Sequence, residues 1–242
     1  MNRIKGLILL SALLVTSALP IQTFAQSAKV IKYGDVTSDA FTADKTSASY
    51  TFKAAANDVV VLYLKQDGSD STVAPVLTVT DSAKKAVGDT TAQFTTYSVT
   101  FAFQATAGGT YTVAASTSDA TKLGKYKLYL FNAPLLTAGK AATGHASSDQ
   151  NAYYAYITGD PFTLTYSKQA GDFTPVVNIN QIADDSSLTQ LAYIGGSIAT
   201  AGSVTVKPKT NRIYILSVES ALFDININTV TADFTLQVDT AK

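Results

Sequence analysis

The chain has 242 residues, 46% of them hydrophobic and only 15% charged, with 18 basic and 18 acidic side chains, one histidine and no cysteine. That length suits one large domain or two of ordinary size. No basic patch interrupts the balance, which excludes a nucleic-acid partner. The missing cysteines exclude disulfide staples, thiol nucleophiles and Cys/His zinc sites.

The N-terminus opens on the basic residues Arg3 and Lys5, followed by the apolar run GLILLSALLVTSALPI. Thr23 and Ala25 then place small residues before Gln26. This is the pattern of a secretory signal peptide over residues 1–25, cleaved after Ala25. Pro20 would break an uncleaved anchor helix. Loss of Arg3 and Lys5 leaves the mature chain near −2. No later apolar run is long enough to span a bilayer, so no membrane insertion is expected after cleavage. The expected compartment is periplasmic or extracellular, and export without cysteine suits a bacterial protein.

Beyond the leader the residues favour strands. Thr, Val, Tyr and Phe fit a pleated, half-buried surface. ASYTFKA puts Tyr50 and Phe52 on one face, and DVVVLYLKQ is a strong strand running into the polar loop DGSDST. PVLTVTD alternates Leu77 and Val79 against Val76, Thr78 and Thr80. YSVTFAFQA sets Val99, Phe101 and Phe103 on one side, and GTYTVAAS follows the Gly108-Gly109 turn. KYKLYLF turns Tyr126, Leu128 and Leu130 inward and Lys125, Lys127 and Tyr129 outward. Asn132 and Pro134 then break the pattern, and Gly139 opens a second series: FTLTYS, PVVNINQ, SVTVKP, RIYILSVES and DFTLQVD.

The second series repeats the first. Phe52 matches Tyr156, Lys65-Gln66 matches Lys168-Gln169, and Gly68 matches Gly171. Pro75 matches Pro175, Tyr111 matches Tyr214, and Tyr126 matches Phe234. Collinear anchors with a small drift in offset are what duplication with loop-length change leaves behind. Short strands at this spacing predict an all-β chain of two tandem antiparallel β-sandwich, jelly-roll-like domains. Their expected bounds are residues 26–133 and 134–242. The link carries Leu135 and Leu136 and is not Gly/Ser-rich, so the two domains are expected to pack together.

The strands SYTF and APVLTVTD, the turn-strand AGGTYTVAAS and the closing GKYKLYLF resemble the bacterial pre-peptidase C-terminal domain family. The resemblance covers roughly Tyr33–Asn132 well and Leu136–Asp239 more loosely, since TNRIYILSV lacks the paired glycines and ADFTLQV lacks the G-x-Y. It implies an extracellular, non-catalytic β-sandwich, of a kind in which some members bind calcium, collagen or polysaccharide. None of those ligand residues can be placed on this sequence.

Reactive side chains are scarce. A Ser-His-Asp reading of His145 would have to recruit Ser147, Ser148 or Asp149 from the same polar loop, whereas a triad draws its members from distinct rigid elements. Glu219 is the sole glutamate, and Asp58, Asp160, Asp172 and Asp224 sit at turn positions where aspartate is ordinary. Two acidic loops are calcium candidates, through Asp67 and Asp70 (with Ser69) and through Asp184 and Asp185, because hard cations want several loop oxygens. Candidate ligand-contact aromatics are Tyr63, Tyr97, Tyr129, Tyr153 and Tyr193, although tyrosine in a sandwich also serves as core or rim. The expectation is a secreted, non-enzymatic binding or structural module whose partner is an extracellular protein or polysaccharide, with no cofactor unless calcium binds. A calcium-dependent polysaccharide or adhesion protein, a self-assembling surface or matrix protein, and an extracellular hydrolase are the alternatives.

Overall fold

The computed structural model describes residues 27–91, 97–172, 175–183, 188–195, 200–208, 210–220 and 230–241. The expected signal peptide, Asp184, Asp185 and Asp224 lie outside them. Every regular element described is a strand. In chain order they are β1 (Lys29–Val30), β2 (Val36–Phe41), β3 (Ser47–Ala54), β4 (Val59–Gln66), β5 (Pro75–Thr80), β6 (Ala86–Thr91), β7 (Ser98–Gln104), β8 (Gly109–Thr117) and β9 (Gly124–Asn132). They continue as β10 (Ala141–Ser147), β11 (Ala152–Thr158), β12 (Phe162–Gly171), β13 (Pro175–Ile182), β14 (Leu188–Ile194), β15 (Ala201–Val206), β16 (Arg212–Ser220) and β17 (Thr231–Thr240).

These strands form four sheets. Sheet I has the order β1-β3-β8-β5-β6 and sheet II the order β2-β9-β4-β7. Sheet III runs β11-β16-β13-β14 and sheet IV runs β10-β17-β12-β15. Numbering each module's eight main strands afresh gives the same two sheets in both, 1-8-3-6 and 2-7-4-5, which is the double-sheet jelly roll. The extra β1 pairs parallel with β3, Lys29 opposite Tyr50. Module 2 keeps its trace: Leu135 bridges Ala155 in parallel, and the Leu136 N–H donates to the Ala155 carbonyl at 2.8 Å as the Ile31 N–H does to Thr51 at 2.9 Å. The link is therefore the leading edge of sheet III.

Ladder register tests the sequence repeat residue by residue. Phe52 faces Tyr111 across β3 and β8, and Tyr156 faces Tyr214 across β11 and β16, as the anchors require. Pro75 faces Thr117, and Pro175 faces Ser220. The Lys-Gln pair is the exception. Leu62 faces Leu130 and Leu164 faces Val238, so in these strands Gln66, not Lys65, is the counterpart of Lys168. A bulge between Lys168 and Ala170 then takes up Gln169 as the extra residue. By Gly68 and Gly171 the copies agree again, both glycines at positive φ (+88° and +101°). The dipeptide match is thus one residue out of step, and a one-residue slip would turn every β12 side chain to the wrong face.

Three apolar layers separate the four sheets. Between sheets I and II lie Tyr50, Phe52, Leu62, Leu64, Leu77, Phe101 and Tyr126, all fully buried. Between sheets III and IV lie Phe162, Leu164, Tyr166, Ile179, Tyr214, Leu216 and Phe234. A third layer, Val59, Val61, Ala102, Ala133, Tyr153, Ala155, Ile182 and Ile215, joins sheet II to sheet III. This explains the unbroken apolar runs VVVL in β4 and YIL in β16: strands covered on both faces need no polar alternation. The expectation that the modules pack together is met by this seam.

Candidate recognition surface at the module junction

At one margin of the seam the β10–β11 connection reaches back over sheet II. Tyr129, on the outward face of β9, donates its hydroxyl to the Asp149 carbonyl at 3.1 Å. Its ring lies 5.6 Å from Tyr63 and 6.1 Å from Phe131, and Phe131 lies 4.9 Å from Tyr153. The Lys65 ammonium sits 5.7 Å from the Tyr129 ring centre, within cation–π range. The Tyr153 hydroxyl accepts from the Asn151 amide at 3.3 Å. Burial, and then the nearby Glu219 charge, push the Tyr153 phenol well above its ordinary pKa, so it stays protonated.

Beside this aromatic row opens a groove of about 260 Å³ lined by Phe131, His145, Ser147, Gln150 and Asn151. His145 stands on strand β10 and not in a loop, because β10 pairs with β17 and sets His145 opposite Asp233. Its Nδ1 lies 2.8 Å from Asp233 Oδ1, with both side chains about 60% exposed. Asp233 is the partner that sequence proximity could not supply; only strand register brings it there. The neighbours once considered for a triad are otherwise engaged: Ser147 Oγ accepts from the Gln150 N–H at 3.0 Å and Ser148 Oγ from the Val230 N–H at 3.3 Å.

The five tyrosines thus divide. Tyr129 (3% exposed) and Tyr153 (5%) are held in the junction and are not ligand-facing, and Tyr63 is half-buried beside them. The outward alternation read for Tyr129 is right; module 2 covers that face. Tyr97 (69%) and Tyr193 (64%) are exposed. They do not join the groove lining.

The first acidic loop closes on itself. Asp67 pairs with Lys127 at 3.0 Å, and the Gln66 amide donates to the carbonyls of Gly68 and Ser71. Asp70 is exposed, with the Ser69 hydroxyl donating to it at 3.5 Å. With Asp67 held by Lys127, the loop presents Asp70 as its exposed carboxylate, whereas a calcium ion wants six or more oxygens. Among the described residues no three His, Asp or Glu side chains stand close enough to hold a metal. Glu219 accepts from the Ser217 hydroxyl at 2.6 Å, and Asp58 accepts from Tyr33 and the Ala55 N–H. Both are structural uses of a carboxylate. A second cavity of about 260 Å³, near Ile182, is bordered by Asp81, Lys85, Phe103, Gln104 and Tyr111. Asp81 there is committed to the backbone N–H groups of Ala83 and Lys85.

No family model and no curated protein matches the chain. Among solved structures it is similar to the pre-peptidase C-terminal domain of a collagenase from Bacillus anthracis, at 14% identity and a TM-score of 0.37, over 43% of this chain and 95% of that one. It is also similar to the M60 catalytic domain with the CBM51-1 and CBM51-2 domains of Clostridium perfringens ZmpB, at 9% identity and a TM-score of 0.27, over 81% of this chain and 34% of that one. A third similarity is to the CUB1-EGF-CUB2 domains of rat MASP-1, at 7% identity and a TM-score of 0.23, over 86% of this chain and 99% of that one.

Proposed function

We propose that the chain is a secreted, non-catalytic binding module of the pre-peptidase C-terminal type, and that it recognises an extracellular polysaccharide or protein at the junction of its two sandwiches. The observation that carries this reading is the junction groove, where the Phe131 ring of one module meets His145, Gln150 and Asn151 of the other, with Asp233 held 2.8 Å from the His145 ring. Placed polar groups beside an aromatic ring can orient a ligand and give specificity. The apolar leader and the absence of cysteine support export. The seam supports recognition by a rigid frame, because a preorganised surface spends less of its binding energy on ordering.

The test is a screen of the chain lacking its first 25 residues against polysaccharides and matrix proteins. It is followed by titration of any hit with H145A and Q150A, two exposed changes on the groove. Each is expected to weaken binding about tenfold, the loss of roughly one hydrogen bond to a charged or amide group. Binding untouched by both but abolished by Y97A or Y193A would move recognition away from the junction. Turnover of a ligand, lost in D233N or E219Q, would show an enzyme instead.

A further inference from the structure

The two modules share one topology, yet the seam uses different faces of it. Module 1 contributes the outer face of sheet II, the 1-8-3-6 sheet, and module 2 contributes sheet III, the 2-7-4-5 sheet. A contact between unlike faces of like units is head-to-tail, and such contacts continue into open filaments unless something stops them. Sheet I at one end is of the same type as sheet III, and sheet IV at the other end is of the same type as sheet II. By topology alone, sheet IV of one molecule would accept sheet I of the next.

Register makes the comparison exact in position. On sheet II the seam residues Val61, Ala102 and Phe131 face outward, as does the buried junction residue Tyr129. Their counterparts on sheet IV are Thr163, Thr205, Asp239 and Gln237. On sheet III the seam residues Tyr153, Ala155, Ile213 and Ile215 face outward. On sheet I the same positions hold Ser49, Thr51, Thr110 and Thr112. All eight pairs change in the same direction, towards a hydroxyl, an amide or a carboxylate on the end faces. The inward core positions stay apolar in both copies, as with Leu62 and Leu164 or Leu128 and Leu236.

We infer that sheets I and IV are capping faces, that the head-to-tail contact is closed after one use, and that the chain works as a discrete two-module monomer. Terminal units with a polar outer face are the general means by which stacked repeats stay soluble. The inference favours display of the junction groove by single molecules over the self-assembling matrix reading, and it stands whether or not the groove binds sugar.

Sedimentation velocity over a wide concentration range tests it. The unaltered chain is expected to remain a monomer throughout. Self-association that T165R on sheet IV, or T112R on sheet I, abolishes would overturn the inference. The converse experiment restores the seam residues to the end faces: S49Y, T51A, T110I and T112I on sheet I, with T163V, T205A, Q237Y and D239F on sheet IV. The doubly converted chain is expected to form an open series of oligomers. The two singly converted chains, mixed, are expected to give a one-to-one complex. Circular dichroism identifies which variants keep the native strand signal. Converted chains that keep it and neither polymerise nor pair would show that face polarity does not set the stop. If none keeps it, the unaltered chain and its arginine variants still decide.

Discussion

Asp39 shows what one position does differently in the two copies. Its carboxylate pairs with Lys45 at 2.7 Å and accepts weakly from the Tyr50 hydroxyl at 3.4 Å, which in turn meets the Tyr126 hydroxyl at 2.7 Å. A polar chain thus runs from the surface into the first core. In module 2 the register puts Gly144 at this place, opposite Phe234 as Asp39 is opposite Tyr126. The Tyr154 hydroxyl takes the space beside Gly144 and donates to the Thr143 carbonyl at 3.2 Å; a Cβ on Gly144 would clash with that hydroxyl and lie 2.5 Å from Phe234 Cζ. Burial raises the pKa of Asp39, but the Lys45 bond and the Ala40 N–H outweigh it and hold the carboxyl below its ordinary value. A carboxylate lowered on folding contributes stability that is complete above its unfolded pKa and is lost as pH falls through the folded one. D39N is therefore expected to melt lower than the unaltered chain at neutral pH, with the gap closing as pH falls below the ordinary carboxylate range. Thermal melts across that range check it; a gap constant with pH would refute the assignment.

Strand β4 shows how an element serves two masters. Leu62 points into the first core and Val61, its neighbour, into the seam, and both are fully buried. L62A is expected to cost about 2–5 kcal/mol, the usual range for a buried leucine in a closed core. V61T, the residue found at the matching position of sheet IV, is expected to cost about 1–3 kcal/mol for burying a hydroxyl, without disturbing the core beneath. Urea titrations compare them, and equal losses would mean that seam and core are one cooperative layer. Strands of this kind were legible in the sequence because their alternation or continuous apolarity is strong. Strand β10 was not: AATGHAS has weak strand propensity and is held on a sheet edge by β17 alone, so His145 read as a loop residue. The bulge at Gln169 was equally hidden, since two Lys-Gln dipeptides look equivalent until a ladder shows which residue is extra. Burial of Tyr129 and Tyr153 could not be read either. A strand pattern tells which face a side chain takes, but not which domain comes to rest on it.

Among the described residues, the four-sheet stack makes the seam an apolar layer that neither module completes alone. Its closure couples the two unfolding reactions. A single calorimetric transition is expected for the unaltered chain. I215D, which places an unpaired charge in the seam, should split it into two while leaving both inner cores composed as before. One undivided transition in I215D would show that the sandwiches melt together for some other reason. The same coupling bears on recognition, because the groove keeps its shape only while Phe131 of one module and His145 of the other hold their spacing.

The short stretch between the modules carries a last consequence. The Ala155 N–H donates to the Pro134 carbonyl at 3.0 Å, and Leu136 is bonded back to Ala155, so the connection is itself part of a sheet. The joint therefore offers no loose segment to a cutting enzyme. A cut there would sever the chain but leave both halves clasped, each still holding a piece of the other's boundary. For a chain made from its N-terminus, the strand-like edge that starts the second sandwich emerges just behind the first. The first sandwich is then already in place as a surface against which the second can fold.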